Sequence, residues 1–256
     1  MTDESLVVIV AGVLGLMIGS FLNVCIVRLP ASQSVVRPRS RCPRCEKPIA
    51  WYDNIPLLSW LVLRGKCRGC GLPISPLYPA VELLTALIWA AMARHYPLQL
   101  EALRGALFFT LLLGIAMTDV REYIIPDEFT WGGLGIGLVF GLIGGLPTLV
   151  PALIGAVTGF GLLWLIGFLG HLALKEEAMG GGDIKMMAMV GAFIGWQGVL
   201  LTIFLGALLG TIIFLPLSLL GRGQKVPFGV FLALGAAATW IAGPAIIAWY
   251  RAYIGL

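Results

Sequence analysis

The sequence predicts an all-α polytopic membrane protein of about eight transmembrane helices, and three observations indicate this class. Of the 256 residues, 59% are hydrophobic and 12% are charged, and the mean hydropathy is +0.96. A soluble domain carries roughly 25% charged residues, so this chain has too little polar surface for a water-soluble fold. The apolar residues form long continuous runs, without the alternation that is typical of a membrane β-strand.

Eight apolar runs account for the predicted helices, because a transmembrane helix needs about 20 mostly apolar residues. The first run follows the acidic residues Asp3 and Glu4, with no basic segment before it. We therefore expect a retained helix and not a cleavable signal peptide. The runs span about Leu6–Val27, Leu77–His95, Leu98–Met117, Phe129–Gly145, Leu149–Leu172, Ile184–Trp196, Val199–Leu219 and Phe228–Tyr250.

The basic residues are distributed unevenly among the connections between these runs. With eight spans, fourteen of the 17 basic residues, Arg222 and Lys225 among them, fall on the side opposite the N-terminus. Lys and Arg near helix ends mark the cytoplasmic side, so we expect both termini outside and the long connection at residues 28–77 in the cytosol. A nucleic-acid-binding patch between Arg28 and Arg68 is the weaker alternative, and no nucleic-acid partner is expected.

Four of the five cysteines lie in the connection at residues 28–77. They form two C-x2-C pairs, Cys42 with Cys45 and Cys67 with Cys70, separated by 21 residues. This spacing is typical of a four-thiolate zinc site. A segment of this size is too small for a sufficient apolar core, so a metal would supply folding free energy. Two disulfides or a redox pair are the alternative, which a reducing cytosol disfavours.

We therefore predict a small cytosolic four-cysteine zinc-binding loop domain. The fifth cysteine, Cys25, lies inside the first apolar run and is expected to be a buried packing residue. The expected organisation is a first transmembrane helix at residues 1–27, the zinc-binding loop domain at 28–77 and a transmembrane core at 78–256.

Two acidic residues lie where apolar runs end or begin. Asp119 follows the third run, and Asp183 precedes the sixth, directly after Gly180–Gly182. Carboxylates beside lipid are costly and are functional candidates by default. Helix capping would account for Asp127 and Asp183, because each stands just before an apolar run. It does not account for the three glycines before Asp183. We expect the glycines to allow positive φ and the close approach of another backbone, and Asp119 and Asp183 to meet on the cytosolic side.

Two carboxyl groups that meet in a dehydrated cleft suit acid–base chemistry. Placing two negative charges there is unfavourable, so one group stays protonated while the other acts as a base. Such a pair can activate water against an amide carbonyl and protonate the leaving nitrogen. A proton-coupled transporter would use the same two residues. The residue types alone leave both functions open.

With these motifs, the sequence resembles the bacterial type IV prepilin peptidases (prepilin leader peptidase/N-methyltransferases). These are membrane aspartic proteases of the G-x-G-D kind. The resemblance covers nearly the whole chain, and no motif residue departs from it. Its motifs lie at residues 19–24, 28–30, 37–38, 51–60, 63–67, 78–82, 119, 125–127 and 180–185, together with the four cysteines.

The resemblance implies cleavage of the basic leader from prepilins and from the pseudopilins of type II secretion. The cut follows a glycine at the cytosolic face of the inner membrane, and Asp119 and Asp183 match the two catalytic aspartates. Gly180, Gly182 and Lys185 would support this active site. A hypothetical partner for a glutamate early in the mature pilin is Lys185 or an arginine near the cleft.

Members with the four-cysteine loop then methylate the new N-terminal residue with S-adenosylmethionine. Gly65 and Lys66 match a segment that the family associates with methyl transfer. The zinc would be structural, since four thiolates leave no open position for water. A peptidase without methylation, whose loop serves assembly or substrate docking, is the alternative. Glu82, just inside the second run, either lines a polar cleft or bonds to a neighbouring helix.

Overall fold

The computed structural model describes residues 3–96, 99–176, 179–219 and 226–255, and these residues contain helices and turns but no strand. Six of the described helices are long and apolar enough to cross a membrane, namely α1, α3, α4, α6, α7 and α8. The chain is an all-α polytopic membrane protein. Its helices are α1 (Asp3–Arg28), α2 (Leu58–Val62), α3 (Leu77–His95), α4 (Gln99–Glu122), α5 (Asp127–Ile143), α6 (Leu146–Leu174), α7 (Gly181–Leu219) and α8 (Phe228–Ile254), with a 3₁₀ turn at Trp51–Asn54.

Each of the eight predicted runs corresponds to a helix among the described residues, although Leu98 lies outside those residues and α5 ends before residues 144–145. Helix α5 has 17 residues, fewer than the roughly 20 expected of a span. The sixth and seventh runs correspond to two helices within α7 that meet at a kink at Gly195, with φ 70° and ψ 176°. Glycine adopts this conformation readily because it has no Cβ. Arg222 and Lys225, on which the predicted sidedness partly rests, lie outside the described residues.

The chain divides into two compact units, residues 1–110 and 111–256. The first contains α1, the cysteine-rich connection, α2, α3 and the beginning of α4. The second contains the end of α4 and helices α5 to α8. The four-cysteine cluster therefore belongs to the first unit, and the two candidate catalytic aspartates belong to the second.

In the first unit, α1 and α3 pack side by side through small residues. A Cβ at Gly15 would lie 2.7 Å from the Cα of Ala86, and one at Gly19 would lie 2.8 Å from the Cα of Glu82. Close backbone approach through glycine is typical of helix pairs in lipid. This packing places Glu82 against α1. Cys25, also on α1, is buried as expected, with 7% of its surface exposed.

In the second unit, α7 is the central helix. Its segment before Gly195 packs on α5 and α6, and Gly155 and Gly191 bring α6 and α7 so close that a Cβ on either would overlap the backbone of the other helix. Its segment after Gly195 packs on α8, where the hydroxyls of Thr202 and Thr239 lie 3.2 Å apart. This packing fixes the first turn of α7, which carries Asp183.

Candidate active site

Asp119 lies within the last turn of α4, because this helix continues to Glu122. The residue is buried, with 5% of its surface exposed. Its Oδ2 accepts a hydrogen bond of 3.1 Å from the backbone N–H of Val230, in the first turn of α8. The N–H groups of a first turn have no partner within their own helix and favour an anionic acceptor. The start of α8 therefore holds and orients the Asp119 carboxylate.

Gly229 allows this contact between α8 and α4. A Cβ at Gly229 would lie 2.9 Å from Oδ2 of Asp119 and 2.7 Å from Cδ1 of Ile125. The sequence reasoning missed Gly229 and Val230. The available signal was Pro227 and Gly229 at the beginning of the last apolar run, because proline and glycine mark the boundary between a loop and a helix.

Asp183 is the third residue of α7, and its backbone N–H donates to the carbonyl of Gly180 at 3.1 Å. Its Oδ1 is buried and has no hydrogen-bond partner among the described residues. An acceptor in this state is open to a donor brought by water or by a substrate. Asp183 therefore offers a carboxyl oxygen that no described residue uses.

The three glycines before Asp183 create space without positive φ, which is a correction to the prediction. None of Gly180–Gly182 has a positive φ. A Cβ at Gly182 would lie 2.8 Å from the Cβ of Ile125, and one at Gly180 would lie 2.9 Å from Oδ2 of Asp183. The close neighbour is therefore a side chain from the segment before α5, where we had expected another backbone.

The structure brings Asp119 and Asp183 together at one site. Ile125 lies between the starts of α7 and α8, against Gly182 on one side and Gly229 on the other. The two carboxylates are close enough for the charge of Asp119 to act on Asp183. The site thus combines the end of α4, the segment before α5 and the first turns of α7 and α8.

Lys185 and Asp127 form an ion pair beside this site. The Lys185 Nζ lies 2.7 Å from Oδ1 and 2.8 Å from Oδ2 of Asp127. Pro126 is the N-cap residue of α5, and no side-chain capping bond is formed there. The capping explanation of Asp127 is therefore wrong, because its carboxylate joins α5 to α7 through Lys185.

The four sulfur atoms of the C-x2-C pairs form one cluster that could hold a metal ion. The Sγ atoms of Cys42, Cys45, Cys67 and Cys70 lie within 4.8 Å of one another, and those of Cys42 and Cys70 are 3.9 Å apart. Tetrahedral zinc with Zn–S bonds of about 2.3 Å separates its sulfurs by about 3.8 Å, so the cluster fits this ion. The backbone N–H groups of Cys45 and Arg44 lower the pKa of the Cys42 thiol to about 6, whereas burial and the neighbouring thiols raise the pKa of Cys70 to about 11.

The two C-x2-C segments repeat the same backbone turn. In each, the N–H of the first cysteine, Cys42 or Cys67, donates to the carbonyl five residues later, and its carbonyl accepts from the N–H four residues later. That fourth residue has positive φ in both turns, 56° at Glu46 and 70° at Gly71. The cysteines of each turn therefore face the same point, and no disulfide joins them.

Gly65 is buried at a turn in the same loop. It has φ 68°, and a Cβ there would lie 2.9 Å from the indole ring of Trp60. Its N–H donates to the carbonyl of Trp60 and its carbonyl accepts from the N–H of Ile74, at 2.8 and 2.7 Å. Only glycine suits this combination of conformation and packing. Lys66, the next residue, is exposed.

Among the described residues, the hydrogen-bond partner of the Glu82 carboxylate lies in the loop, at the start of α2. The Glu82 Oε2 accepts the backbone N–H of Leu57 at 2.9 Å, and 9% of Glu82 is exposed. Leu57 is the N-cap of α2, with φ 59° and no other capping bond from a side chain. Glu82 therefore attaches the start of α2 to α3.

Comparison with known proteins gives consistent matches over both units. Residues 13–96 match the bacterial peptidase A24 N-terminal domain, and residues 106–215 match the type IV leader peptidase family. A prepilin leader peptidase/N-methyltransferase of Aeromonas hydrophila is 39% identical, over 92% of this chain and 90% of its own length. One from Stutzerimonas stutzeri is 38% identical, over 97% of this chain and 95% of its own length.

A third relative of the same name, from Myxococcus xanthus, is 43% identical over 84% of this chain, and the match spans 64% of the relative's length. No solved structure matches the chain. The first family match spans the cysteine cluster, and the second spans both Asp119 and Asp183. The chain belongs to the type IV leader peptidase family.

Proposed function

We propose that this protein is a membrane-embedded aspartic endopeptidase that removes the basic leader from type IV prepilins and pseudopilins, cutting after a glycine. It then methylates the new N-terminal residue with S-adenosylmethionine. The observation that carries the peptidase assignment is the meeting of Asp119 and Asp183 at one site. The names of the relatives, which describe both activities, support the same proposal.

In the proposed cleavage, the two carboxyl groups exchange protons with water and with the scissile amide. One carboxylate removes a proton from a water molecule while the water oxygen attacks the carbonyl carbon. The other carboxyl group protonates the leaving nitrogen as the C–N bond breaks. Asp183 supplies the unused Oδ1 that can bind the water or the substrate, and Asp119 is held in place by Val230.

Three further residues support this geometry. Gly180 and Gly182 leave room for Asp183 and Ile125, and a side chain at either position would displace them. Lys185 holds α7 to α5 through Asp127. These residues act on the position of Asp183 and do not take part in proton transfer.

Methyl transfer is assigned to the cysteine-rich loop. S-adenosylmethionine would supply the methyl group, and the new N-terminal amine would lose a proton on accepting it. Gly65 and Lys66 are the proposed residues near that reaction. Zinc held by Cys42, Cys45 and the second cysteine pair would be structural, because four thiolates leave no position for water.

We place the protein in the bacterial inner membrane, with the zinc loop and both aspartates on the cytosolic side and both termini outside. The concentration of basic residues in residues 28–77 supports this orientation. Its partners are then the surrounding bilayer and the prepilin and pseudopilin substrates, whose basic leaders remain in the cytosol. The peptidase core at 78–256 would cleave the prepilin, and the zinc loop at 28–77 would carry out methyl transfer.

Mass spectrometry of a prepilin incubated with the purified protein in detergent tests the proposal. We expect loss of the leader, and addition of one methyl group only with S-adenosylmethionine. Asp119→Asn and Asp183→Asn should each slow cleavage by at least about 10²-fold, the contribution of a general acid or base. Glu128→Gln is the matched control, since Glu128 is exposed in the first turn of α5. Cleavage at the normal rate in either aspartate variant would contradict the assignment.

A second arm separates the two activities. Gly65→Ala should abolish methylation and leave cleavage intact, because the new Cβ would press on Trp60 within the loop and Gly65 lies in the other compact unit from the aspartates. If the wild-type protein cleaves but never adds a methyl group, the methyltransferase proposal fails and the peptidase proposal stands.

A further inference from the structure

Helix α2 presents apolar side chains outward and a polar side chain inward. Leu58, Leu61 and Val62 are 60%, 62% and 73% exposed. Their i, i+3, i+4 spacing puts them on one side of the helix, here called the α2 apolar face. Ser59 points the other way and is buried, with its hydroxyl donating to the carbonyl of Tyr52 at 2.9 Å. A helix at a water-exposed surface buries its apolar side chains and exposes its polar ones, which is the opposite of the arrangement in α2.

The start of α2 lies beside a membrane-spanning helix and not beyond its end. The Leu57 N–H is bonded to Glu82, and Glu82 is the sixth residue of α3, whose apolar span is Leu77–His95. At 1.5 Å per residue, Glu82 is about 7.5 Å along that helix. The α2 apolar face therefore begins at the depth of the α1–α3 helix pair.

A groove on α1 gives the same placement independently. Asn54 and Pro56, which lead into α2, line a cavity of about 390 Å³ together with Met17, Val24 and Arg28 of α1. Met17 precedes Arg28, the last residue of α1, by eleven positions, which is about 16 Å along the helix. The cavity that Asn54 and Pro56 line therefore extends along the apolar part of α1, from its end at Arg28 inward to Met17.

We propose that the α2 apolar face lies in the lipid bilayer, at the boundary between acyl chains and headgroups. An apolar surface that would be unfavourable in water is favourable there. An unpaired backbone N–H at that depth would be costly, and Glu82 removes this cost by accepting the N–H of Leu57. Arg64 and Lys66, which follow α2 and are exposed, then lie level with anionic headgroups. The zinc loop is by this account seated in the membrane surface.

Photo-crosslinking of the full chain in lipid nanodiscs tests this placement. A benzophenone amino acid replaces Leu61 or Val62 in two proteins, and replaces Glu46 in a control. Glu46 is exposed beside Cys45 in a turn rich in charged residues, where lipid is not expected. We expect several-fold more lipid adduct from positions 61 and 62 than from position 46. Metal content, measured on each protein, reports whether the loop has folded.

A second experiment leaves the protein unmodified and puts the reactive group on the lipid. A phospholipid with a diazirine in its acyl chain should label peptides containing residues 58–62 in the wild-type chain, and should spare residues 41–48. Labelling of both segments alike, or of neither, overturns the proposal. So do benzophenone adducts from positions 61 and 62 to an added prepilin, to a second copy of the chain or to another segment of it. Neither readout depends on catalysis, so its failure is separate from failure of the proposed function.

Discussion

The Lys185 ammonium group bridges both carboxylate oxygens of Asp127, at 2.7 and 2.8 Å, and so joins the first turns of α7 and α5. The Lys185 side chain is 32% exposed and that of Asp127 is 56% exposed. Exposed ion pairs contribute only about 0.2–1 kcal/mol to stability. The pair is therefore best understood as a contact that positions the start of α7, two residues after Asp183.

We expect Asp127→Asn and Lys185→Met each to lower kcat for prepilin cleavage by less than about tenfold, since the energy of an exposed pair is below about 1.4 kcal/mol. The physical reason is a looser α7 start, which affects the position of Asp183. Steady-state kinetics on purified variants measures this effect, with Glu128→Gln as the neighbouring control.

The same kinetics distinguishes positioning from substrate binding. The swapped pair Asp127→Lys with Lys185→Asp should recover part of the lost kcat, because the bridge can form again. If Lys185 instead bound a carboxylate of the pilin, Lys185→Met would raise KM while Asp127→Asn would not. That result would contradict the positioning role.

Gly229→Ala should reduce cleavage strongly, with the fold retained. The added Cβ would lie 2.9 Å from Oδ2 of Asp119 and 2.7 Å from Cδ1 of Ile125, so the carboxylate or the start of α8 must move. Small displacements of catalytic groups are expensive, and a loss of about 10²-fold in kcat is expected.

Gly132→Ala provides the control for this substitution, because a Cβ there meets no atom within 4 Å. It should cleave at the wild-type rate. Thermal unfolding of both proteins separates a local effect at Asp119 from general destabilisation. Equal activity of Gly229→Ala and Gly132→Ala would show that α8 does not need to approach Asp119 closely.

Glu82→Ala should loosen the zinc loop, whereas Glu82→Gln should largely preserve it. Alanine leaves the Leu57 N–H without its acceptor, and a buried unpaired N–H costs about 1–3 kcal/mol. Glutamine retains an acceptor oxygen at the same place. Limited proteolysis within residues 28–77 measures the difference, and equal protection of the two variants would argue against the Leu57 bond.

Loss of one cysteine ligand should release the metal and unfold the loop while cleavage persists. Cys42→Ser removes one of four thiolates that lie within 4.8 Å of one another. Because a four-thiolate ion has no open position for water, the proposed hydrolysis does not need it. Elemental analysis should find about one zinc per wild-type chain and none in the variant.

Cys25→Ala is the control for metal loss, since Cys25 is buried in α1 and is not part of the cluster. It should keep the zinc and the protease resistance of the loop. Complete loss of cleavage in Cys42→Ser, with α-helical content unchanged, would mean that the metal contributes to the peptidase reaction.

Prediction from the sequence worked best where one local pattern carries the information. Hydropathy predicted the helices, because a membrane span must be apolar along most of its length, and it also predicted the division of α7, whose two helices meet at Gly195. The C-x2-C spacing identified all four members of the sulfur cluster. The prediction that another backbone lies against Gly182 was wrong, because the neighbour is the side chain of Ile125. No local sequence pattern indicates which of the two will approach a glycine.

The amino-acid sequence by itself determined the membrane character of the chain, its cysteine cluster and the two aspartates at helix ends. The tertiary structure alone decided that Val230 orients Asp119, that Lys185 binds Asp127 and that Glu82 holds Leu57. Each of these bonds joins residues at least 25 positions apart along the chain. Their formation depends on how whole helices pack, and helix packing is set by the sum of many contacts and not by the spacing of any one motif.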